Sequence, residues 1–65
     1  MSTVIQDDDI EIIHESYPTS PIYWRPTTWD DAEWQPAGLR CADVIGGWQD
    51  DDNVIKAVRA QIGND

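Results

Sequence analysis

The sequence predicts an α+β fold: a small antiparallel sheet with one C-terminal helix packed on it. Three observations predict it. Residues 10–15 alternate as a strand does, turn residues at 17–21 separate them from a second apolar run, and residues 53–62 place apolar side chains at helical spacing.

In Ile10-Glu11-Ile12-Ile13-His14-Glu15, Ile10 and Ile12 share one face, while Glu11, Ile13 and Glu15 share the other. Tyr17-Pro18-Thr19-Ser20-Pro21 carries turn chemistry, because proline fixes its backbone and serine and threonine bond back to theirs. Ile22-Tyr23-Trp24 resumes an extended run, so residues 10–24 read as a hairpin with a loop longer than two residues. Residues 1–8 read as a loose, flexible lead, since Asp7-Asp8-Asp9 disfavours a buried element even though Val4 and Ile5 suit a strand.

Thr28 is a candidate helix N-cap with Asp31 three residues on, which predicts one or two helical turns over 29–34. Pro36 ends that segment, because the residue before a proline is driven out of the helical region. Residues 39–45 are a candidate third strand: Leu39, Cys41 and Ile45 alternate, Asp43 interrupts their face, and Gly46-Gly47 ends the run. In the last element Val54, Val58 and Ile62 fall at i, i+4 and i+8, with Ile55 widening the stripe. Asp52 or Asn53 is the expected cap and Gly63 suits the far end, giving a helix over about 53–62. A helix this short needs a packing partner to persist.

The 65 residues fit one small domain, 1–65. A chain of that length buries only about 60% of the surface its unfolded form exposes, so its stability margin is thin. It is nevertheless unlike an acidic disordered segment, which is poor in aromatic and β-branched residues. Here there are four Trp, two Tyr and eight Ile.

Thirteen acids face four bases, a net charge of −9. Such a surface repels nucleic acid and anionic lipid and is drawn to basic proteins. One cysteine, Cys41, allows no internal disulfide, and with the single His14 it falls short of a structural zinc set. No metal and no cofactor is expected. No apolar run approaches the ~20 residues that span a bilayer. The N-terminal residues lack the basic and apolar regions of a signal peptide, so a cytoplasmic protein is expected. No nucleophile with its base, glycine-rich phosphate loop or calcium loop is legible, and the chain reads as a non-enzyme.

The candidate partner-binding residues are therefore acids and tryptophans. Asp50, Asp51 and Asp52 precede a helix, where negative charge is favoured by ~0.3–1 kcal/mol, and that role accounts for them. Asp30 and Asp31 have the same explanation at the proposed Thr28 cap, but it does not reach Asp7, Asp8, Asp9, Glu11 and Glu15. Along an extended chain alternate side chains project on one face roughly 6.6 Å apart. Asp7, Asp9, Glu11 and Glu15 would then form a row spaced like backbone phosphates, with simple solubility charges as the plainer reading. The first 24 residues hold five acids and no Lys or Arg, which concentrates the charge. Trp24, Trp29, Trp34 and Trp48 are expected chiefly in the core. Trp29 and Trp34, beside Asp30, Asp31 and Glu33, are the candidates for exposed anchors on a partner.

This acidic, Trp-rich profile resembles phage-encoded inhibitors of host machinery, and the anti-CRISPR proteins in particular. Pro21-Ile22-Tyr23 followed by Asp31-Ala32-Glu33-Trp34-Gln35-Pro36-Ala37-Gly38 is similar, with gaps, to a segment of a small phage inhibitor of bacterial RNA polymerase. Both resemblances imply an acidic plug on a basic protein channel. The expected partner is a basic nucleic-acid-binding protein, with a Cas effector subunit favoured, and no direct contact with nucleic acid or membrane is expected. Two other readings use the same composition. An antitoxin or immunity protein would neutralise a basic toxin, and a phage assembly protein would use its acids for solubility alone.

Overall fold

A computed structural model describes residues 2–28 and 31–63. Four strands form an antiparallel meander in chain order: β1 (Ser2–Asp7), β2 (Ile10–Glu15), β3 (Pro21–Pro26) and β4 (Gln35–Arg40). A 3-10 turn, Cys41–Asp43, leads to the helix α1 (Asp51–Ile62), which packs on β4 and β1. The predicted α+β class, a small antiparallel sheet with a C-terminal helix across it, is the one found.

The boundaries differ from expectation in three places. Residues 2–7 are not a loose lead but an edge strand paired along its length with β2, from Ser2 opposite Glu15 to Asp7 opposite Ile10. Asp8 and Asp9 make the two-residue turn between them, and Asp8 takes φ 51. Aspartate tolerates this left-handed conformation better than most residues because its short polar side chain can bond locally. The aspartate run thus closes a hairpin instead of preventing a strand.

The helix expected over 29–34 is a second difference. Trp29 and Asp30 lie outside the described residues, and Asp31–Trp34, the described part of that segment, are turn and irregular chain instead of helix. A single turn between Pro26 and Pro36 is too short to sustain itself. The chain is instead tied back to β3. Arg25 Nη1 donates to the Ala32 carbonyl at 3.4 Å, and its guanidinium lies 4.6 Å from the Trp34 ring centroid. Thirdly, the last strand runs over 35–40, earlier than the predicted 39–45. Its pairing with β3 shifts between Tyr23 opposite Pro36 and Pro21 opposite Arg40, so three residues of β4 oppose Ile22. Gly38, at φ 85, sits in this bulge.

The helix begins two residues earlier than predicted. Asp50 is its N-cap, its carboxylate accepting from Asp52 N at 3.0 Å. At the far end Gly63 closes the helix with its N–H on the Arg59 carbonyl. Just before the helix, Gly46 adopts φ 90, and a Cβ there would lie 2.8 Å from the Asn53 side chain. That approach lets Asn53 Nδ2 reach the Gly47 carbonyl at 3.2 Å and fasten the loop to the helix.

The core lies between one sheet face and α1. Ile5, Ile10, Ile12 and Ile22 come from the sheet, Val54 and Val58 from the helix, and Ala37, Cys41 and Val44 from β4 and the chain after it. Aliphatic residues fill it, while Trp24 and Trp48 lie partly buried at its margin. No helix among the described residues is long and apolar enough to cross a membrane.

Candidate functional site

A meander sends its connections alternately to the two ends of the sheet. The β1–β2 turn and the β3–β4 loop therefore share one end, and the Thr27 N–H bonds the Asp9 carbonyl across it at 2.9 Å. This arrangement gathers Asp7, Asp8, Asp9, Asp31 and Glu33 at one end, with Glu11 on the adjoining part of the sheet. Glu15 lies at the opposite end of β2, and so do Asp43 and the helix start at Asp50–Asp52.

The row expected of Asp7, Asp9, Glu11 and Glu15 does not form, because the chain reverses at Asp8–Asp9. Residues opposite each other on antiparallel strands share a face. Asp7 is opposite the buried Ile10 and so lies on the helix side, whereas Glu11 and Glu15 belong to the other face with Gln6 and Ser2. What forms instead is a cluster with cations inside it. Arg59 on α1 reaches Asp7 Oδ2 through Nη2 at 2.8 Å and through Nε at 2.9 Å, and its Nη2 meets Asp9 Oδ1 at 3.0 Å. These bonds, first to Asp7 and then to Asp9, hold the Arg59 guanidinium above its ordinary range. The bond from Arg59 likewise keeps the Asp9 carboxyl below its ordinary value. Arg25 pairs Nε with Glu11 Oε1 at 3.4 Å, close enough for ion pairing but not aligned as a hydrogen bond.

These contacts divide the candidate acids. Asp7, Asp9 and Glu11 are spent partly on internal arginines. Asp8, Asp31 and Glu33 are exposed and form no ion pair among the described residues. Glu15 accepts from the Ser2 hydroxyl at 2.8 Å, and that bond is the first cause holding its carboxyl below the usual range. Asp30 and Trp29 lie outside the described residues. Trp34 is half-buried beneath Arg25.

The sheet face turned away from α1 carries no helix among the described residues. Val4, Ile13, Tyr23 and Pro36 are carried on it, with Val4 56% and Tyr23 37% exposed. A cleft of about 350 Å³ opens here, lined by Ile13, Glu15, Tyr17, Pro21, Tyr23 and Trp34 among others. Sequence alternation assigned Ile13 to the face opposite Ile12, but a lone isoleucine between two glutamates gave no sign that aromatic residues from three segments would gather around it.

One buried pair has the makings of chemistry. Cys41 Sγ lies 3.6 Å from His14 Nδ1, the distance of a thiol and its base. However, His14 Nδ1 is 2.9 Å from the Glu15 carbonyl, which can only accept, so that nitrogen carries the proton. Cys41 is fully buried and burial pushes its thiol up. The contact is therefore part of the core, and His14 completes it by meeting Trp48 edge-on at 6.2 Å between ring centroids. Among the described residues no three His, Cys, Asp or Glu side chains are placed to hold a metal ion. No family model, curated protein sequence or solved structure matches the chain.

Proposed function

We propose that the protein is a non-enzymatic inhibitor that occupies a Lys/Arg-rich nucleic-acid-binding surface of another protein. The specific form of this reading is an anti-CRISPR protein acting on the DNA-binding subunit of a Cas effector complex. The observation that supports it is the acidic sheet end. Six acids (Asp7, Asp8, Asp9, Glu11, Asp31 and Glu33) gather there around two arginines, on a chain of net charge −9. Long-range attraction would bring a cationic surface to that end quickly, in a manner weakened by salt. The internal arginines fix the position of Asp7, Asp9 and Glu11, and Asp8, Asp31 and Glu33 supply the outward charge.

The test is competition for DNA binding by a purified Cas effector complex. The parent chain should displace target DNA, and the triple change Asp8→Lys, Asp31→Lys and Glu33→Lys should weaken displacement at least tenfold. The double change Asp51→Lys and Asp52→Lys at the helix start should weaken it much less. Equal inhibition by parent and triple variant sinks the reading, as does a parent chain that leaves DNA binding untouched.

A further inference from the structure

We propose that β1 pairs with β1 of a second copy of this chain, antiparallel and centred on Val4, joining two four-stranded sheets into one. The inference goes beyond the inhibitor reading and stands on how the two edges of the sheet differ.

The strand order β1-β2-β3-β4 leaves β1 and β4 at the edges. Proteins commonly protect such edges with proline, charge or a bulge, because unpaired backbone groups there template another strand. β4 has all three, in Pro36, Arg40 and the bulge at Gly38. β1 has none of them from Ser2 to Gln6, and its register with β2 runs unbroken. Backbone direction adds to this. The Asp9 carbonyl accepts from the Thr27 N–H and the Glu15 N–H donates to Ser20 Oγ, so odd-numbered residues along β2 turn their backbone toward β3. Alternation then turns Ile10, Ile12 and His14 toward β1, where Asp7, Ile5 and Thr3 meet them. The backbone groups of Ser2, Val4 and Gln6 point outward as a result.

A second copy fits this edge. Two-fold pairing sets Val4 against the second copy's Val4 and each Ser2 against the other copy's Gln6, forming about six backbone bonds. Across the open face Val4 lies opposite Ile13, Ile13 opposite Tyr23 and Tyr23 opposite Pro36. The pairing carries this apolar row without a break into the same row of the second copy. It also keeps the charges apart. Antiparallel strands put the two acidic hairpin turns at opposite ends of the junction, with one Asp7 about 20 Å from the other along it. On the open face Glu11 and the second copy's Glu15 sit three strand spacings, about 14 Å, apart. Both separations exceed the screening length of ~8 Å at physiological salt. Charge gives a basic partner strand no claim on this edge, because Ser2 to Gln6 is uncharged while Asp8, Asp31 and Glu33 lie at the sheet end.

The test follows the full chain by sedimentation equilibrium from about 1 μM to about 1 mM, a span that covers weak dimers. A concentration-dependent dimer should form and should tighten with added salt, the opposite of what salt does to competition for DNA. Val4→Lys and Val4→Glu should each weaken it at least tenfold, because each sets like charges against each other. An equimolar mixture of the two variants should restore it. Val4 is exposed, so both variants should match the parent by circular dichroism. In hydrogen exchange the Val4 and Gln6 amides should be protected at high concentration and open on dilution. A chain that stays monomeric throughout overturns the proposal, and if Val4→Lys then weakens competition for DNA, the edge belongs to the partner instead. A dimer abolished by Tyr23→Ala, with the Val4 amide unprotected, overturns it in favour of stacked open faces. A paired dimer that leaves DNA binding untouched would keep this proposal and remove the inhibitor reading.

Discussion

At the residue scale, the acids are structural parts as well as surface charge. Asp9 shows this through its bond to Arg59, fifty positions away in the chain. Its carboxyl is held below the ordinary aspartate value of 3.8, and Arg59 is the cause. A group depressed in the folded state stabilises fully above its unfolded value, and that contribution is lost as pH falls through the lower folded value. The stability gap between parent and Asp9→Asn should thus be constant near neutrality and shrink below about pH 3.8. Denaturant titrations of both chains across pH 2.5–7 measure it, and a gap that widens in acid would contradict the assignment. Comparing the two chains removes the general relief of acid–acid repulsion on protonation, which they share. None of this was legible in the sequence. A triple-aspartate run signals solvation by composition, and the arginine that organises it lies on another element.

At the element scale, legibility followed the strength of local patterning. The helix was visible because its apolar stripe repeats over three turns and its ends carry capping residues. The sequence leaves its start open by two residues, because four consecutive residues, Asp50 to Asn53, are all competent caps. Asp50 is the one used, so Asp50→Ala should cost about 1 kcal/mol in chemical denaturation. Asp51→Ala should cost less, since Asp51 offers only its charge to the helix start. Equal losses at the two positions would count against the cap. The β2–β3 hairpin was equally visible. By contrast, β4 carries Pro36, Gly38 and a bulge, all of which erase alternation. Its place in the sheet is set by long-range pairing with β3. The same holds for the edge strand β1, whose partner identifies it better than its own residues do.

At the scale of the whole molecule, one thin core joins sheet to helix. A domain of this size has a total stability of about 3–10 kcal/mol at 0.05–0.15 kcal/mol per residue. Ile12 is completely buried at the centre of the sheet. Ile12→Ala should cost about 2–5 kcal/mol, a large part of the total, and lower the thermal midpoint steeply. Ile45, 90% exposed, is the contrast. Ile45→Ser should stay within about 0.5 kcal/mol of the parent. Similar losses at both positions, followed by circular dichroism, would contradict this placement of the core. The candidate site also belongs to this scale. The sequence showed which acids were in surplus, but their meeting at one end follows from the meander, and the aromatic cleft follows from three separate segments converging. No local pattern encodes either.

Cys41 has a practical consequence at the same scale. It is the chain's one cysteine and it is sealed in the core. An alkylating reagent such as iodoacetamide can reach the sulfur only when the core opens. Its labelling rate therefore clocks breathing of the native state, with no engineered probe required.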